Sequence, residues 1–214
     1  FWQPMSEPAS ESAIAAYERA LELEPEQSEA LAAKAWMTEL LQWDWETAND
    51  LYLQAMASGE NTTAMFAYAM YYLAAIDQLP EAIRLARVVE QRDPLHPAYK
   101  NIVAWLLLLS GNGEAAILKF RESLELNPQH FFALFGLIDA YNMVGDFHAA
   151  RAVLQQLPDH WSQEPRLTLR SALTNVAQGD LDNAREIFRS MVDDPPSYGF
   201  IVLAQLALSL GETD

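Results

Sequence analysis

The stretch from Pro97 to His130 reads PAYKNIVAWLLLLSGNGEAAILKFRESLELNPQH. Its first half carries Val103, Ala104 and Leu107; its second half carries Ala116, Phe120 and Ser123 and closes at Pro128. Small or apolar residues three and four apart fall on one face of a helix. Gly111 sits between the halves, so the spacing predicts two helices joined by a short turn, a helical hairpin. One hairpin cannot cover its own apolar stripe and needs copies of itself as neighbours.

Copies are present in register. Ala48, Ala82, Ala116, Ala150 and Ala184 succeed one another at intervals of 34 residues. Four residues past each of them stand Tyr52, Ala86, Phe120, Leu154 and Phe188, and seven past stand Ala55, Val89, Ser123, Leu157 and Met191. Pro94, Pro128 and Pro196 close three copies, and Gly111, Gly145 and Gly179 mark three turns, twice as Gly-Asp. A period held over several positions and five copies is the signature of a stacked repeat architecture.

With these residues the chain resembles the tetratricopeptide repeat family over nearly its whole length. That resemblance implies an all-α fold, a right-handed superhelical solenoid of antiparallel helix pairs in a single array over 1–214. A half repeat covers 10–27, with Ala13, Tyr17, Ala20 and Pro25 offset by one inserted residue near Ser28. Full repeats cover 29–62, 63–96, 97–130, 131–164 and 165–198. A terminal helix follows at about 199–210, reading FIVLAQLALSL; it is apolar enough to cap the stack or touch another surface.

A narrower likeness lies in the second unit, where the turn is Trp43-Asp44-Trp45 and Trp36 stands where small residues are usual. With the later segment AYAMYYLAAIDQLPEAIRLARVVEQRDPLHP, it looks like the repeat regions of bacterial signalling proteins, adenylate cyclases and winged-helix transcriptional regulators. That implies a repeat region cut from, or processed out of, a longer bacterial protein, cytoplasmic or periplasmic. The tryptophans equally suit local packing of a wide turn. Phe1-Trp2, ahead of Pro4, reads as a linker remnant or as a segment folding back onto the stack.

Composition narrows the function. The longest apolar run, Ile102–Leu109, is less than half of the about 20 residues a membrane span needs, so membrane insertion is not expected. Cysteine is absent, which removes disulfides and thiol chemistry. The net charge is −17, and residues 1–60 hold twelve acids against Arg19 and Lys34. No basic face for nucleic acid is apparent. The acidity reads as a solvated outer face, or as a surface for a basic partner on the first two hairpins.

Catalytic and metal motifs are missing. His96 and His130 hold the same register position one layer apart. Layers lie about 8–10 Å apart, too far for two rings on one zinc at about 2 Å. No metalloprotease, nucleophile-elbow or phosphate-loop pattern occurs. Asp193-Asp194 sits beside prolines and reads as solvated. Neither an enzyme nor a cofactor is expected.

Function then rests on the first helix of each repeat. Its fourth, seventh, eighth and eleventh positions face the core, while positions two, five, nine and twelve make a second stripe. In the resembled family that stripe lines the concave surface. Position nine supplies Met37, Tyr71, Trp105, Asp139 and Leu173; position five adds Asn101 and Phe135, and position two adds Phe132 and Arg166. Position twelve contributes Leu40, Ala74, Leu108, Asn142 and Val176. An apolar, aromatic surface of this kind marks a protein or peptide partner. Positions five and nine hold no Lys or Arg, so the carboxylate clamp of chaperone-binding relatives is not expected. The expected ligand is an apolar peptide or an amphipathic helix. Two other readings stay open: a homo-oligomer through the terminal helix, and a small-molecule sensor at the WDW turn and Trp105. A Trp161 ligand contact competes with simple packing over a core edge.

Overall fold

The structure, a computed structural model, describes residues 7–57, 61–158, 161, 164–192 and 206–211. Phe1-Trp2, His160, Asp193-Asp194, residues 199–205 of the terminal helix and the Arg166 side chain lie outside that description. The described residues are helical or in turns, and the fold is all-α. The chain divides into two compact units between Ser110 and Gly111.

The first unit contains α1 (Glu7–Leu23), α2 (Ser28–Met37), α3 (Trp45–Ala57), α4 (Thr62–Ala67), α5 (Leu79–Arg92) and α6 (Pro97–Leu109). Consecutive helices pack in pairs: α1 on α2, α2 on α3, α4 on α5 and α5 on α6. Two of the first helices end in wider π-helical turns, Thr38–Gln42 after α2 and Tyr68–Leu73 after α4. A π-turn accommodates one extra residue in a helix, and this locates the insertion. The helix cap Gln27 follows Pro25 by the same step as His96 follows Pro94 and His130 follows Pro128. The extra residue expected near Ser28 is therefore absorbed further on, in Thr38–Gln42.

The second unit contains α7 (Gly113–Leu126), α8 (Phe131–Val144), α9 (Phe147–Gln155), α10 (Pro165–Ala177) and α11 (Leu181–Val192), followed by helical residues 206–210. Here α7 packs on α8, α8 on α9 and α10 on α11. Leu206 and Leu210 close a cluster with Leu169, Ala172 and Ala184. One face of the described part of the terminal helix, Leu206 and Leu210, is thus buried in its own unit, while Leu208 is exposed.

The register residues have a common fate. Ala48, Ala82, Ala116, Ala150 and Ala184 are all fully buried. A small side chain there lets the two helices of a hairpin approach closely. The turns share a backbone device as well. Trp43, Asp77, Gly111, Gly145 and Gly179 all have positive φ, between 57° and 83°, and each is 34 residues from the next. The residue after each stands at the cap of the next helix. Asp44, Asn112 and Asp146 accept backbone N–H bonds from Thr47, Ala115 and Ala149 at 3.0–3.2 Å. These satisfy donors that a helix start leaves open.

Candidate functional site

The inner stripe is built differently in the two units. In the first, Trp36 and Tyr71 stack at 5.2 Å with an interplanar angle of 19°. Phe66 meets Tyr71 edge-on at 6.3 Å and Tyr99 at 6.0 Å, and Tyr99 stacks on His96 at 4.2 Å. Such pairs add about 0.5–1.5 kcal/mol each beyond their buried area. Met37 and Asn101 are buried at 3% and 2% exposure, whereas Tyr71 and Trp105 are half-buried. Asn101 Oδ1 has no hydrogen-bond partner among the described residues.

Behind this stripe lies Glu39, in the π-turn and only 6% exposed. Burial pushes its carboxyl up to about 8, with the nearby Tyr52 hydroxyl pulling the other way. Oε2 has no hydrogen-bond partner among the described residues. Desolvation disfavours the charged form of a buried acid, so Glu39 holds its proton near neutral pH. Burial first, and Glu39 second, raise the Tyr71 and Tyr72 hydroxyls.

In the second unit Phe132 and Phe131 meet edge-on at 5.5 Å, and Phe131 lies 4.8 Å from Phe135. Phe135 is buried, with the Arg170 guanidinium 3.9 Å above its ring. Arg170 Nη2 donates to Asp139 Oδ2 at 2.7 Å. Asn142 Nδ2 donates to Thr174 Oγ1 at 3.0 Å. The polar members of this stripe are therefore matched from the following repeat. Burial raises the Asp139 carboxyl and the Arg170 charge lowers it. Leu173 is half-buried and packs on the Leu169 cluster.

Sequence reasoning passed over Glu39, Arg170 and Thr174. A signal for Glu39 was available, because it holds the core-facing eleventh position of its repeat, where Leu73, Leu107 and Tyr141 follow. Arg170 and Thr174 lie off the inner stripe, and only their approach to Asp139 and Asn142 gives them a role.

The fourth repeat leaves a cavity of about 380 Å³ lined by Leu154, Leu157, Pro158, Trp161, Leu167 and Ile187. Helix α9 has 9 residues where α7 has 14, and Pro158 follows its end. The missing turn leaves that space. Trp161 folds edge-on against Phe131 at 4.9 Å, so it packs and lines the cavity at once. His130 caps α8 by accepting from Ala133 N–H at 3.2 Å. Among the described residues no three His, Asp or Glu side chains converge as a metal site, and no helix is long and apolar enough to cross a membrane.

Comparison with known proteins agrees with this architecture. Residues 107–173 match one description of the tetratricopeptide repeat and residues 69–131 match another. The chain is similar to the structure of PilF from Pseudomonas aeruginosa, with 20% identity, TM-score 0.69, and coverage of 93% of this chain and 89% of that one. It is also similar to a tetratricopeptide repeat protein of Parabacteroides merdae, with 16% identity, TM-score 0.75, and coverage of 96% and 82%. A thermophilic repeat protein of Thermus thermophilus, TTC0263, gives 14% identity, TM-score 0.65, and coverage of 94% and 99%. No curated protein matches the sequence. Proteins with this repeat generally mediate protein–protein interactions and are generally scaffolds without enzymatic activity. The fold is that of tetratricopeptide repeat proteins, and two overlapping stretches within residues 69–173 match the tetratricopeptide repeat itself.

Proposed function

We propose that the chain is a protein-interaction module whose inner stripe takes an apolar peptide or an amphipathic helix. The observation that carries this reading is the half-buried state of Tyr71 and Trp105 in the first unit. Aromatic rings on a partly open stripe serve as anchors for a partner. Helix-in-groove recognition needs apolar contacts at helical spacing more than it needs charge. The absence of Lys and Arg from positions five and nine favours an apolar ligand over a terminal carboxylate.

The test uses peptides selected from an apolar amphipathic library against the intact chain. Tyr71→Ala with Trp105→Ala should weaken the selected peptides about tenfold or more in fluorescence anisotropy, while the helical circular dichroism stays. Unchanged affinity in a folded double variant would remove the inner stripe from the proposal. The WDW turn further supports a place in a larger bacterial signalling protein. The sequence upstream of Phe1 in the parent gene tests that, and a neighbouring domain of unrelated class would end it.

A further inference from the structure

The turn between the two helices of a repeat requires a left-handed backbone at one residue. Gly111, Gly145 and Gly179 supply it with no side chain to clash. Trp43 occupies the same register position with φ 57°. A bulky side chain disfavours that conformation. Burial does not offset the penalty, since Trp43 is 74% exposed, the most exposed large apolar side chain among the described residues. It meets Trp45 in a T-shaped contact at 6.4 Å, and Trp45 rests on Tyr72 at 6.1 Å. One side of the indole is braced while the rest faces solvent.

The surroundings specify what it would meet. Asp44, Glu46 and Asp50 lie on the same turn and helix, and Asp77 holds the corresponding position one repeat on. None of the four forms an ion pair with a base among the described residues. Arg84, on the second helix of the next repeat, is already held by Glu81 at 2.5 and 2.8 Å. Exposed Leu41 and Ile76 add apolar surface. A second copy of the chain, at net charge −17, would bring acid to acid.

We propose that Trp43 anchors a docking edge for a basic segment of a partner protein, an Arg- or Lys-bearing peptide whose cation lies over the indole. Tryptophan offers the strongest ring for a cation, and a guanidinium stacks on it flat. The carboxylates, none of them held by a base among the described residues, steer the segment in and hold its other charges. This edge is separate from the inner stripe, and either proposal can fail alone.

Calorimetric titration of the intact chain tests it, using a short Gly-Arg repeat peptide and its Gly-Glu counterpart. Indole N–H resonances report which tryptophan is engaged. The basic peptide should bind saturably, shift the Trp43 resonance, and weaken as salt rises. Trp43→Gly should weaken it about threefold or more, with a melting temperature no lower than the parent's. Trp43→Asn, which tolerates the same backbone, should behave alike. The doubly neutralised Glu46→Gln, Asp50→Asn protein should also bind less, whereas Tyr71→Ala should not. Undiminished binding in both Trp43 variants, equal binding of the acidic peptide, or no binding at all would overturn the proposal.

Discussion

The two units use one register and fill it with different residues. Turns in the first are made by Trp43 and Asp77, while those in the second are made by Gly111, Gly145 and Gly179. At the fourth position past the marker alanine, Tyr52 packs on Tyr68 at 5.4 Å in the first unit. The equivalent pair in the second is Phe120 and Gly136, so close that a Cβ on Gly136 would lie 2.0 Å from the Phe120 ring. The core-facing eleventh position holds buried polar groups at both ends of the array. Asn175 accepts from Arg151 at 2.9 Å and donates to Asn183 at 2.6 Å, but Glu39 Oε2 has no such match. The 34-residue spacing is thus a constraint on backbone geometry, and each layer satisfies it with whichever ring, gap or hydrogen bond its neighbours complete.

The largest effect should come from the ring-over-glycine pair. Gly136→Leu should lower stability by about 3 kcal/mol or prevent folding, because a fully packed core cannot yield that space. Adding Phe120→Ala should recover part of the loss in urea unfolding. If Gly136→Leu is tolerated alone, the second unit does not depend on that gap and the contrast with Tyr52–Tyr68 collapses.

Next is the matched polar pair. Arg170→Met leaves the half-buried Asp139 without its cation, and should destabilise by about 2 kcal/mol. Asp139→Asn with Arg170→Met should cost less than Arg170→Met alone. A double-mutant cycle in denaturant gives the coupling, and a coupling near zero would put the pair on the same footing as the unmatched Glu39.

Glu39 itself gives a pH signature. Its carboxyl sits at about 8 in the fold against about 4.3 in an unfolded chain. The folded state therefore binds the proton more tightly. This contribution is complete below about pH 4.3, falls away as pH rises, and is exhausted above pH 8. Glu39→Gln should match the parent near pH 4 and exceed it at pH 8 by a few kcal/mol, about 1.4 for each unit of displacement. Equal pH dependence of the two proteins would show that Glu39 is solvated or paired after all.

The smallest effect concerns the turns. Trp43→Gly should stabilise by about 1 kcal/mol and Gly145→Trp should destabilise by as much. Thermal unfolding decides it, and a stabilising Gly145→Trp would mean that the left-handed turn residue is under no strain.

Much of this was legible in one chain. The 34-residue interval, the alanine markers and the Gly-Asp turns point to helix pairs, because each obeys short-range rules of spacing and backbone. The reading of the inner stripe was less complete. It treated Met37, Asn101 and Phe135 as surface, and the structure covers all three. The same spacing places Asp139 and Asn142 on that stripe, and the structure bonds them to Arg170 and Thr174. Exposure and pairing depend on residues one repeat away, and no local pattern reports how near those come.

The sequence by itself determined the repeat length, the helical class and the positions of the turns, since spacing and steric preference act within a few residues. Only the tertiary structure decided which rings stack, that Glu39 is buried with Oε2 unmatched, that the extra residue sits in a π-turn, and that Trp43 takes a backbone suited to glycine. Those outcomes follow from contacts between layers, where space and partners are set by neighbouring helices.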